Sequence, residues 1–333
     1  MKKYNKFLFV LLLISILMMA GLSVHAKTYH WRFAHQSVEG SLRDITANTF
    51  KEYVEKETDG QVIVDIYPNA TLGTEPEQVE SLQMGSLDLS VIGYGGLVNY
   101  VPEDAATSLP FLFSSYEEVH ALLDGKVGDI IKEKAAEKGF EILAFMEMGF
   151  CQMTNNVRPI THPDDLAGVK MRCPNVSQFV SIMKQLGSNP STLPYSELYL
   201  GLDQGVVDGQ FNPINAIYET KFFEVQDYLS YVNMLYAFGY VIMNKGVYDS
   251  LDPDLQKIVQ EGAYKGAVKT REMLQEVEEN AFAKMKDSFK EVSYPELEPF
   301  RTKVAPVYDE FRELAGKEVV DEILEAVAEY RKK

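Results

Sequence analysis

The residue types that do chemistry are all present in this sequence, but no spacing assembles them into a reaction centre. There is no His-Glu-x-x-His, no Cys-x-x-Cys, no phosphate-cradling glycine loop and no Gly-x-Ser-x-Gly. Gly93-Tyr94-Gly95-Gly96 follows a strand-like segment, yet it lacks the spacing, and the helix opening on it, that hold a dinucleotide. His30, His35, His120 and His162 are scattered, with no pair four residues apart on one helix, so no metal site is expected. Nothing calls for a cofactor either. Two cysteines, Cys151 and Cys173, are too few for a disulfide scaffold. Binding chemistry remains, and charge limits its form.

The chain carries 32 Lys+Arg against 49 Asp+Glu. Lys2, Lys3 and Lys6 make a basic start, residues 7–22 are almost unbroken apolar sequence, and Val24-His25-Ala26 is a small-x-small cleavage pattern. Residues 1–26 therefore read as a signal peptide cleaved after Ala26, which places the mature chain in the periplasm. Lys27, not a cysteine, would lead it, so no lipid anchor is expected. Without the leader the net charge becomes −20. Such a surface repels nucleic acid and anionic lipid. It repels small anions at long range as well, so an acidic ligand must be gripped by a local, desolvated arginine.

The elements that would position such a group alternate between strand-like and helix-like segments, which marks an α/β architecture. The mature length exceeds one ordinary core of about 150 residues and suggests two lobes. Strands are expected at 29–34, 62–66 and 87–92, with helices at about 42–58 behind Ser41-Leu42-Arg43-Asp44, at 75–84, and after Ser115. Residues 140–146 read as a buried strand, and Gly149 opens the second half. There, separate short strands are expected at 151–154 and 169–173, helices at 176–186 and 196–204, and strands at 207–211, 228–232 and 239–244. From Pro253 the helical period persists to about 288, longer than one lobe needs, so this helix should bridge both. The tail, 299–333, reads as two amphipathic helices. The lobes are assigned as 27–149 plus 238–278 and 150–237 plus 279–333. The chain has no flexible linker between them, so the hinge should consist of ordered crossing segments.

Four blocks, in order, carry a resemblance. They are Tyr67-Pro68-Asn69-Ala70-Thr71-Leu72-Gly73 with Gly85-Ser86-Leu87-Asp88; Thr154-Asn155-Asn156-Val157-Arg158-Pro159-Ile160; Leu166-Ala167-Gly168-Val169-Lys170-Met171-Arg172-Cys173-Pro174-Asn175; and Gly205-Val206-Val207-Asp208-Gly209-Gln210-Phe211-Asn212-Pro213. Together they resemble the periplasmic solute receptors of tripartite ATP-independent (TRAP) transporters, the dicarboxylate-binding family. The resemblance implies a two-lobed periplasmic binding protein fold with a spanning helix and a cleft between the lobes. It also implies closure over a small organic acid and delivery to a sodium-driven permease of small and large membrane subunits. The receptor is expected to be a monomer with no enzymatic activity.

The same resemblance places Arg172 where the family grips the ligand carboxylate, and Asn212 where a second bond reaches it. Asn212 also suits a turn before Pro213. Cys151 stands where the family commonly has a second arginine, which favours a monocarboxylate; a buried inert thiol or a disulfide to Cys173 are the other readings of it. Strand alternation argues against the disulfide, because Cys173 should face away from a cleft-facing Arg172. Gln36, Glu75, Tyr94 and Tyr195 match positions that touch the rest of the ligand. Tyr236 and Phe238, in the apolar run 233–238, could line the cleft or pack the core; in the cleft they would favour an apolar ligand body. A receptor of this fold serving a membrane sensor kinase, or a periplasmic enzyme, are the alternatives.

Overall fold

The computed structural model describes residues 28–332, so the expected leader lies outside the described residues. The strands are β1 (Tyr29–Ala34), β2 (Val62–Tyr67), β3 (Leu89–Gly93), β4 (Phe140–Asn155), β5 (Arg172–Cys173), β6 (Ser191–Thr192), β7 (Gly209–Pro213), β8 (Tyr228–Ser230), β9 (Tyr236–Asn244) and β10 (Glu291–Ser293). β1 runs parallel to β2 and β3, with the helix Leu42–Glu57 as the first crossover. Ser41 caps that helix by accepting from the Asp44 amide. β9 lies antiparallel between β3 and β4, while β7 and β8 flank the far end of β4 and β10 extends β8. β5 and β6 form a separate two-stranded sheet.

β4 joins the two halves. Two strands were expected across this region; the structure has one of sixteen residues. Residues 140–150 pair with β9, whereas 151–155 pair with β7 and, at their end, β8. Gly149 does not terminate the strand. It sits at φ +107, and the register against β9 shifts between Glu147 and Gly149, so the ladder bulges and bends while the strand changes partners. The side chain of Glu278 packs on this bend and leaves no room for a Cβ at Gly149.

The long helix Pro253–Met285 begins at Asp252, whose side chain accepts from the Leu255 amide, and ends in a tighter turn over Lys286–Ser288. Leu255, Val259, Ala263, Ala267 and Leu274 pack into a core with Trp31, Phe33 and Phe50. Ala281 and Met285 enter another with Leu198, Ile217 and Phe222. One helix thus serves two of the three cores among the described residues. Gly266 allows close approach to the helix Leu42–Glu57, since a Cβ there would lie 2.7 Å from the Thr46 carbonyl oxygen.

The tail forms three helices rather than the two expected: Glu298–Val304, Val307–Ala315 and Lys317–Tyr330. Pro306 interrupts the first expected helix. Glu298–Val304 packs on Pro163–Leu166 and Ser177–Gln185, but Lys317–Tyr330 packs on Tyr116–Leu123 and on Lys126–Glu137, a helix the sequence reading did not anticipate. Arg331 clamps Glu118 at 2.6 Å. The tail therefore touches both halves.

Candidate ligand-binding site

A cavity of about 450 Å³ opens where the ends of β3, β5 and β7 meet the bend of β4. Arg172 is 4% exposed and lines it. Its Nε donates to the Leu193 carbonyl at 2.8 Å, which fixes the plane of the guanidinium, and its centre lies 6.0 Å from the Tyr195 ring. Burial lowers its pKa to about 10, so it stays charged at neutral pH. No described carboxylate forms an ion pair with it, and its terminal N–H groups are left for an anion.

Asn212 lines the cavity beside it. Its amide donates to Gln210, and it is a ladder residue of β7 opposite Gln152 rather than the turn residue that Asn-Pro also suggested. Cys151 lines the cavity too; in the β4–β7 register it lies opposite Pro213, while Asn212 lies opposite Gln152. The Cys151 sulfur lies 3.5 Å from the Tyr94 hydroxyl, and burial pushes the thiol up to about 12, so it is neutral. Cys173 is also free and directs its sulfur at the Phe179 carbonyl.

Gln36, Glu75, Tyr94 and Tyr195 line the same cavity. Tyr94 packs edge-on against Phe179 at 5.3 Å. Tyr236 and Phe238 do not line it, and this corrects their expected place. β9 begins at Tyr236, three residues earlier than its glycine suggested, and alternation along it presents Ala237 to the cavity instead. Tyr236 turns inward and donates to Glu147 at 2.5 Å; Phe238 supports Tyr94 from behind, 5.7 Å away. The apolar lining expected from that run gives way to a mixed one.

Of the lining residues that the sequence did not point to, three bear on its chemistry. Arg43 brings a second cation, but its Nη1 is held by Glu75 at 2.8 Å and by the Val91 carbonyl at 3.1 Å. Asn215 and Glu219 come from the short helix Ile214–Glu219 that follows β7. Asn212 itself lies in β7 and the helix has only six residues, so no helical period in the sequence points to them. Among the described residues, the site offers one cation without an ion pair, one engaged ion pair, amides and aromatic edges, with no nucleophile paired to a base.

The family model described as "Bacterial extracellular solute-binding protein, family 7" matches residues 33–314. The C4-dicarboxylate-binding periplasmic protein DctP of Rhodobacter capsulatus is 32% identical over 305 residues, 90% of this chain and 91% of that one. A TRAP periplasmic solute-binding protein from Polaromonas sp. JS666, solved with D-erythronate, is 34% identical with a TM-score of 0.85, covering 89% of this chain and 98% of that one. The sugar-acid-binding protein DctPAm from Advenella mimigardefordensis, solved with galactonate, is 30% identical with a TM-score of 0.87, covering 91% of this chain and 99% of that one.

Proposed function

The chain belongs to the bacterial extracellular solute-binding proteins of family 7, and on that premise we propose that it is a periplasmic receptor that closes on a monocarboxylate and hands it to a sodium-driven TRAP permease. It is a TRAP solute-binding receptor for small acids and not an enzyme. Export with cleavage after Ala26, action as a monomer and docking on the two membrane subunits belong to the same proposal.

The observation that carries the monocarboxylate is the charge balance of the cavity. Arg172 forms no ion pair among the described residues, whereas Arg43 already has Glu75. A second ligand carboxylate would have to break that pair or remain buried and unpaired, at a cost of several kcal/mol. Monoacids should therefore bind more tightly than diacids of matched length. Cys151→Arg, which adds a cation to the lining, should narrow or reverse the difference. Isothermal titration of both proteins with matched pairs decides, and a native preference for the diacid would sink the monocarboxylate reading.

Closure is supported by β4 and the long helix, ordered connections of the kind a hinge between lobes would use. Saturating ligand should lower the radius of gyration in small-angle scattering. An unchanged radius at saturation would argue against a clamp.

A further inference from the structure

We propose that the cavity is built for a zwitterion, a monocarboxylate held at Arg172 whose far end carries an ammonium held at Glu219. The proposal rests on the carboxylate reading of Arg172, and it adds a charge that neither erythronate nor galactonate carries.

Glu219 closes the helix Ile214–Glu219, which β7 enters directly. It lines the cavity and stays partly exposed, while the Asn215 amide donates to its carboxyl. No cation pairs with it among the described residues. The lysines of neighbouring segments turn elsewhere: Lys221 to Glu224, and Lys284 of the long helix to the Tyr218 ring. Arg43 is held by Glu75. Burial lifts the Glu219 carboxyl to about 8, as it does for a carboxylate left without a counter-charge. The cavity therefore holds one cation without an anion and one carboxyl without a cation. A ligand that carries both charges satisfies both at once and leaves neither of its own buried unpaired.

Tyr195 relates the two points. Its ring lies 6.0 Å from the Arg172 centre, and its hydroxyl is pushed up to about 12, by burial first and by Glu219 next. Both charges thus border one tyrosine, whose ring face also suits an ammonium. An ammonium adjacent to the carboxylate would meet the positive charge of Arg172 instead, so the cation belongs at the ω end of the chain. The wider field agrees. Glu75, Glu77, Glu80 and Glu219 outnumber Arg43 and Arg172 around the lining, and the whole chain carries 49 Asp+Glu against 32 Lys+Arg. Such a field repels a bare anion and admits a zwitterion.

The test is isothermal titration of the mature protein at pH 8, where Glu219 gives up its proton at little cost. The probes are 4-aminobutanoate, 5-aminopentanoate and 6-aminohexanoate, each beside the unsubstituted and the ω-hydroxy acid of the same length. At least one amino acid should bind roughly 10- to 100-fold more tightly than both of its counterparts. Glu219→Gln keeps the shape and removes the charge, so it should bring that amino acid down to the affinity of its hydroxy counterpart. A cooperative melt shows that the variant folds, and the comparison within the native protein stands without it. An advantage that survives in folded Glu219→Gln overturns the ammonium site. So does a native protein that binds the unsubstituted or the hydroxy acid at least as tightly as the amino acid at every length. Neither result touches Arg172, because the plain acids still report carboxylate binding. A native protein that binds none of these acids overturns the reading of Arg172, and the zwitterion with it.

Discussion

Replacing Arg172 with alanine is expected to weaken ligand binding by roughly 30-fold to several-thousand-fold, because truncating one partner of a buried charge pair costs about 2–5 kcal/mol. The unliganded protein should lose no stability. Its guanidinium is desolvated without an ion pair among the described residues, so the folded state already bears that burial cost. What is given up is the bond to the Leu193 carbonyl and the contact with the Tyr195 ring. The melting temperature should therefore hold or rise while affinity collapses, a combination that a merely structural arginine would not produce. Arg172→Lys should also fail. An ammonium is a compact point charge and cannot hold Leu193 while presenting two parallel donors to a carboxylate. Titration calorimetry and a thermal melt on the same samples check both halves of this expectation. Near-normal affinity in the folded alanine variant would remove Arg172 from the site.

Much of this arrangement was legible because its signals are local. Ser41 and Asp252 announce helix starts through their own side chains, and the period of the long helix runs unbroken for over thirty residues. The motif blocks carried Arg172, Asn212 and the family. What escaped depends on partners distant in the chain. Gly149 has the same local signature whether it ends a strand or bulges one; the decision was made by β9 and β7, which pair with the two ends of β4. An error of three residues at the start of β9 left the faces of Tyr236 and Phe238 unassigned, and alternation then decided both at once. Arg43 is muted by a glutamate 32 residues away. Asn215 and Glu219 sit on a helix of six residues, too short for periodicity to reveal.

The second large effect is expected at Glu147, a residue outside the cavity. Its carboxylate is fully buried at the bulge of β4 and gathers three other elements around it. One oxygen accepts from Tyr236 of β9 and lies 2.8 Å from His120 Nε2 on the helix Tyr116–Leu123. The other lies 2.8 Å from Arg271 Nε on the long helix, an ionic contact rather than an aligned hydrogen bond, while Arg271 also grips Asp124 with both terminal nitrogens. Glu147→Ala leaves a partly buried guanidinium short of charge and the Tyr236 hydroxyl without its acceptor, and breaking such a pair costs about 3–5 kcal/mol. For a chain of this size that corresponds to a fall in melting temperature on the order of 10 °C. Glu147→Gln keeps the shape and the bond to Tyr236 but loses the charge, and should fall by less. Glu147→Leu combined with Arg271→Met removes both charges together and should recover part of the loss, since the cost lies in the unpaired charge rather than in the absent bridge. Differential scanning calorimetry of the four proteins measures this directly. Because Glu147 does not touch the cavity, the damage should appear in the melt and leave affinity for the acid nearly unchanged wherever the protein is folded, the reverse of the pattern expected at Arg172. A Glu147→Ala protein that melts within a degree or two of the native one would show that the bend of β4 is held by packing alone.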